Sequence, residues 1–180
     1  MRARKAKLRD ASAIHALITH YSAQGLLLPR AEAEIRRNIS HFLVHEEKGR
    51  LASCVALESY GADLAEIRSL AVDPEIRGRG IGARMIEFAL AEARRREIAR
   101  VFAVTHAPQF FLRQGFEATP RQSLTEKIER DCRACPKRGS CRLTAVVATV
   151  IPERITLQVL INQLLTQIES VQCHSNGGWS

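Results

Sequence analysis

Arg77-Gly78-Arg79-Gly80-Ile81-Gly82 sets three glycines and two arginines directly ahead of an apolar-periodic segment. Glycines at the entry to a helix leave backbone N–H groups bare and pointing outward, so such a turn attracts anions. Arg77, Arg79 and Arg84 add positive charge, and forked guanidinium groups suit phosphate oxygens. The chemistry this predicts is capture of a polyphosphate. Gly-Lys-Ser/Thr is absent, which excludes a Walker-type nucleotide loop. Gly78, Gly80 and Ala83 fit G-x-G-x-x-G/A loosely. In dinucleotide folds, however, the strand runs straight into the first glycine and an acidic residue closes the next strand. Here Asp73-Pro74-Glu75-Ile76 intervene, and Val101–Val104 leads into Thr105-His106, so that reading is weak. A solvated, arginine-rich turn is the plain alternative.

The elements that must position this turn are legible around it. Leu64 to Val72 is rich in apolar residues and ends at Asp73-Pro74, where a proline cannot donate to a sheet ladder. Ile81, Met85, Phe88, Ala89 and Ala93 recur at helical spacing, and Arg94, Arg95 and Arg96 suit the negative end of that helix.

Arg77, Gly80 and Gly82, with this strand before them, this helix after them and the later segment Ala107 to Phe116, resemble the Q/R-x-x-G-x-G/A acetyl-CoA motif of the GNAT acyltransferase superfamily. The resemblance implies that the amides of Gly78, Arg79, Gly80, Ile81, Gly82 and Ala83 hold the CoA pyrophosphate beside Arg77. It also implies that the splayed strand at Leu70, Ala71 and Val72 hydrogen-bonds the pantetheine arm. Acetyl transfer from a thioester to an amine needs an unprotonated amine, a stabilised oxyanion and a departing thiolate. Glu66 is the expected base, placed with Arg68, Leu70 and Val72 on one strand face by strict alternation. The alternative is a surface glutamate paired with Arg68. Backbone N–H groups of Leu70 to Val72 are the expected oxyanion donors. Many family members carry a tyrosine four residues before the second motif's glycine; Phe111 stands there and offers no phenol. Thr105 or His106 is the remaining source of a hydrogen bond to the sulfur, with His106 equally readable as a surface residue.

Leu26–Arg30, Ala65–Val72, Ala107–Phe116 and Lys127–Cys141 further resemble the acetyltransferase domain of N-acetylglutamate synthases, over residues 1–150. The implied acceptor is L-glutamate, and the implied activity is the first step of arginine synthesis. By position, Arg30 and Arg138 match that family's carboxylate binders, Ser140 matches less well, and Arg68 is a further candidate. The long forms' amino-acid-kinase domain has no counterpart in this sequence. Two other readings stay open: acetylation of another small amine, and a non-catalytic acetyl-CoA-binding regulator. Cys132, Cys135 and Cys141 read either as thiolate ligands for zinc or an iron–sulfur cluster, or as structural or redox thiols; no fourth ligand stands nearby, and no metal is assigned.

The resemblance implies a GNAT fold, a mixed, mostly antiparallel sheet of six to seven strands flanked by helices. Residues 1–152 form the expected acetyltransferase domain, and 153–180 an amphipathic helix and tail. Asp10 is the expected N-cap of the first helix, and Ser123-Leu124-Thr125-Glu126 reads as a capping box. The net charge of +8 over 180 residues suits an anionic small ligand. Aromatic residues make up only 5%, leaving little for base stacking, so nucleic acid is not the expected partner. No signal sequence or membrane-spanning run is found, which predicts a cytoplasmic protein with reduced thiols and room for a homodimer.

Overall fold

The structure is a computed structural model that describes residues 3–135 and 138–151, with 158 and 161. The expected helix over 155–171 and the tail after it otherwise lie outside the described residues. Seven strands form one sheet: β1 (Ala3–Lys5), β2 (Phe42–Glu47), β3 (Arg50–Ser59), β4 (Leu64–Val72), β5 (Arg100–Thr105), β6 (Glu117–Thr119) and β7 (Thr144–Thr149). Their order is β1-β2-β3-β4-β5-β7-β6, and of these pairings only β4 with β5 is parallel. The mixed, mostly antiparallel sheet is therefore the expected one.

Helices cover both faces. Helix α1 (Ala11–Ser22) and α2 (Glu32–Arg37) bury Ile14, Ile18 and Ile35 against Phe42, Val44, Cys54, Ala56 and Ala71. On the other face α3 (Ile81–Arg95) buries Ile81, Met85, Ile86, Ala89 and Ala93 against Val55, Leu57, Ala65 and Ile67. α4 (Pro108–Leu112) closes the same side, and α5 (Thr125–Lys127) runs into a wider π turn, Ile128–Cys132, over Tyr60, Leu64 and Phe102. The β2–β3 hairpin turns on Lys48 and Gly49, whose φ values of 51° and 76° are both positive, as a mirror-image two-residue turn requires. Among the described residues no helix is long and apolar enough to cross a membrane.

Two expected caps are replaced by other contacts. Asp10 does not cap α1 through its side chain; its carboxylate accepts from both Arg4 guanidinium nitrogens (2.7 and 3.0 Å) and from the Lys7 N–H (2.7 Å). Those bonds bend the chain into a 3-10 turn at Leu8–Asp10, which ends the first strand at Lys5. Ser123 likewise turns away from α5, donating to the Pro120 carbonyl at 2.7 Å.

Glu92 ties α3 to its surroundings. It is 8% exposed and meets Lys5 at 3.1 Å, Arg95 at 2.7 Å and Arg96 at 2.6 Å. Burial opposes ionisation, yet Arg95, Arg96 and Lys5 together lower its pKa from 4.5 to about 2. The folded value lies below the unfolded one, so the stabilisation is complete above pH 4.5 and is lost as pH falls through about 2. Glu92→Gln is expected to destabilise the protein by about 2 kcal/mol at neutral pH. In urea denaturation series the gap between variant and parent should close toward pH 2, and a pH-independent gap would contradict this assignment.

Candidate active site

Two strand features create the cleft. The parallel ladder joins Leu64–Glu66 to Arg100–Phe102 and ends there, although β4 continues to Val72 and β5 to Thr105. The strands thus splay, and the distal half of β4 has no ladder partner on its β5 side. The second feature was not expected. On β3, Cys54 and Ala56 bracket one residue, whereas their partners Ala71 and Arg68 bracket two, Ser69 and Leu70. This is a β-bulge, with Ser69 at φ 51° and its carbonyl accepting from the buried Cys54 thiol at 3.5 Å. The inserted residue reverses the alternation. Leu70 and Val72 pack with Ala65 and Ile67 on the α3 face, while Ala71 joins the α1 side. Glu66, Arg68, Leu70 and Val72 therefore do not share a face, correcting the strict alternation read from the sequence.

Beyond Val72 lies the glycine turn. Gly78 and Gly80 have φ of 79° and 74°, a left-handed backbone that side chains disfavour. Gly82 has an ordinary φ, but a Cβ there would stand 3.4 Å from the Phe110 ring. The first α-helical bond, from the Arg84 N–H to the Gly80 carbonyl, leaves the amides of Ile81, Gly82 and Ala83 directed off the end of α3. Arg77 lies over the Tyr21 ring at 5.7 Å, and the Tyr21 hydroxyl donates to the Val72 carbonyl, pinning the end of β4 to α1. Arg79 meets Glu47 at 3.0 Å, and Arg84 is exposed. Phe111, expected beside the ligand, is instead buried against Phe116 in the core. Phe110, the adjacent ring, is the one that reaches the turn, because α4 presents successive side chains on different sides.

Glu66 lies on the opposite face and is 3% exposed, so it is not a surface glutamate. Its Oε2 accepts from the Tyr60 hydroxyl and from Lys127 Nζ, both at 2.8 Å, with Arg68 Nε at 3.5 Å. Directly across the ladder stands Glu58. Two facing carboxylates repel unless cations intervene, and here Arg68 meets Glu58 at 2.9 Å, with Arg130 also paired to it. Arg30, its side chain 7% exposed, pairs with Glu34 and approaches Glu58 at 3.8 Å. Burial, then the neighbouring Arg68, lowers the Arg30 pKa. Arg30, Arg68 and Glu66 are thus brought into one polar cluster. Arg138 and Ser140 belong to a 3-10 turn; the Arg138 side chain lies outside what is described. Thr105 ends β5, and its hydroxyl accepts from the Ala107 N–H at 3.0 Å, while His106 is exposed.

Tyr60, Lys127 and Asp131 escaped the sequence reading. The only trace is the four-residue spacing of Lys127 and Asp131, ordinary for a solvated helix pair. Cys132, Cys135 and Cys141 are free thiols, and among the described residues no group of three or more His, Cys, Asp or Glu side chains is placed to hold a metal ion.

Known proteins resemble this chain in sequence and fold. Residues 11–116 match the acetyltransferase (GNAT) family model. An uncharacterised N-acetyltransferase of Chlorobaculum tepidum is 40% identical over 147 residues, which cover 82% of this chain and 95% of that one. An amino-acid acetyltransferase of Neisseria meningitidis is 35% identical over 133 residues, 73% of this chain but 30% of the relative. Among solved structures, N-acetylglutamate synthase from Neisseria gonorrhoeae, complexed with coenzyme A and N-acetyl-glutamate, superposes with a TM-score of 0.76 at 30% identity, covering 83% of this chain and 35% of that one. The chain therefore spans about a third of the length of these two Neisseria proteins. With its splayed β4, its glycine turn and these relatives, the chain belongs to the GNAT acetyltransferase family and has the GNAT fold.

Proposed function

We propose that this protein acetylates the amine of L-glutamate with acetyl-CoA, the first step of arginine synthesis. The observation that carries the reading is one strand serving two faces: β4 places the buried Glu66 among Arg30 and Arg68, while its bulged half leads to the glycine turn. The outward amides of Gly78 to Ala83 and the Arg77 guanidinium receive the CoA pyrophosphate. Glu66 removes a proton from the acceptor ammonium, directly or through water, and the free amine attacks the thioester carbonyl. Backbone N–H groups at Leu70 to Val72 stabilise the oxyanion, and CoA leaves as a thiolate with Thr105 nearby. Phe111 offers the sulfur no proton, and a thiol of ordinary acidity needs little help to depart. Arg30, Arg68, Arg138 and Ser140 hold the acceptor carboxylates.

The Neisseria synthase, complexed with N-acetyl-glutamate, supports this acceptor. In the same reading residues 1–152 are the catalytic unit. The four free thiols among the described residues, Cys54, Cys132, Cys135 and Cys141, suit a cytoplasmic setting. A thiol-release assay with acetyl-CoA across free amino acids tests the acceptor. Glutamate should give the highest kcat/KM, and a panel without that preference would overturn the assignment while leaving acetyl transfer intact.

A further inference from the structure

One hydroxyl lies between two carboxylates at the base. The Tyr60 Oη is 2.8 Å from Glu66 Oε2 and also donates to Asp131 Oδ2. Lys127 Nζ touches all three groups, at 2.8 Å from Glu66, 2.5 Å from Asp131 and 3.2 Å from the phenol oxygen. These atoms close a ring with one phenolic proton shared between two acceptors. Accessibility rises along it: the side chains of Glu66, Lys127 and Asp131 are 5, 11 and 25% exposed. The inner member is almost wholly covered, and the outer one is a quarter exposed.

We infer that Tyr60 and Asp131 form the route by which the proton taken up by Glu66 reaches solvent. The inference rests on the assignment of Glu66 as base. A buried carboxylate that has accepted a proton must lose it before the next turnover, and with its side chain 5% exposed Glu66 has little direct contact with bulk water. As the Glu66 O–H bond breaks, its proton bonds to Tyr60 Oη. The phenolic proton moves at the same time to Asp131 Oδ2, and Asp131 then releases it to water. No net charge builds on the phenol, and the hydroxyl, left pointing at Glu66, rotates back toward Asp131 for the next transfer. Lys127 keeps its proton throughout and holds the three oxygens in register.

The surroundings suit a neutral phenol. Burial first, then the Glu66 charge, raises the Tyr60 pKa, so the group stays protonated and passes protons only in concert. Burial works against the Asp131 carboxylate, but hydrogen bonds from Lys127 and Tyr60 hold it below its ordinary value, so it stands ionised and passes a proton on to water rather than keeping it. The other charged groups facing the ring are Arg68, 3.4 Å from the phenol oxygen, Arg130 over the Tyr60 ring at 4.1 Å, and Glu58, which pairs with both arginines.

Tyr60→Phe removes the hydroxyl and leaves the ring free to pack on Phe102. It should lower kcat about tenfold with KM for acetyl-CoA unchanged. Asp131→Ala should show a similar loss, and added imidazole, a neutral proton acceptor, should restore its rate in proportion to concentration. Full-rate turnover by Tyr60→Phe, or an imidazole-insensitive Asp131→Ala, would overturn the route. If either variant fails to fold, the native protein decides. Its rate against deuterium fraction should bow, as two protons in flight require, and a straight line would overturn the concerted step. Glu66→Gln separates the two assignments. If it retains full turnover, the base is wrong; if it is inactive while Tyr60→Phe is not, only the route is wrong.

Discussion

Glu66→Gln should lower kcat for acetyl transfer by about 10²- to 10⁴-fold, the usual share of a general base. The substitution is nearly isosteric. A glutamine carbonyl still accepts from the Tyr60 hydroxyl, and Asp131 still compensates Lys127. Coenzyme A affinity should be unaffected, because the glycine turn lies past the bulge on the opposite face of β4. Thiol release and calorimetric titration with coenzyme A measure the two quantities separately. Loss of both would mean that Glu66 holds the fold rather than the proton, and loss of neither would assign proton abstraction to another group.

Lys127→Met is expected to destabilise the fold by about 3–5 kcal/mol, the cost of leaving a buried carboxylate without its cation. Methionine fills a similar volume, so the penalty is electrostatic rather than a cavity. Arg68 stands at 3.5 Å from both Glu66 and Asp131, too far to replace the direct bonds. Urea denaturation should therefore show a lowered midpoint with an unchanged slope. Combining the change with Glu66→Gln removes one of the stranded charges, so the double variant should lose less than the sum, with a coupling of about 1–3 kcal/mol. Strict additivity would show that Lys127 and Glu66 do not act on each other.

The parts legible in the sequence are those set by local chemistry. Helix α3 announces itself through the period of Ile81, Met85, Phe88, Ala89 and Ala93, all buried except Phe88, which packs half-buried against the same core. Gly49 suits the β2–β3 hairpin because glycine adopts a positive φ without strain. The glycine turn and the strand before it are legible for the same reason. Asp10 misled because a capping residue and a salt-bridge partner look alike, and the choice depended on Arg4 six residues earlier. The bulge was hidden because Leu70, Ala71 and Val72 are all apolar and pack equally well on either face of a sheet covered on both sides. Lys127 and Asp131 are far in sequence from Tyr60 and Glu66, and nothing local distinguishes a pair that bridges the core from one that faces water. Arg30 and Arg68 were recovered only through resemblance; their pairing with Glu58 is a property of the folded sheet.

The bulge at Ser69–Leu70 gives β4 two phases separated by one residue. Upstream, even-numbered positions face the polar cluster; downstream, even-numbered positions face α3. Side-chain changes on this strand are therefore graded in effect, whereas changes in its length are not. Deleting Ser69 would remove the bulge and bring the halves into a single alternation, in which Leu70 and Val72 stay toward α3 and Ala71 stays toward α1. It would also draw the glycine turn one residue closer to Glu66. The distance between acid–base chemistry and phosphate capture is thus counted in residues along one strand, and evolution can retune the side chains on either side while that count stays fixed.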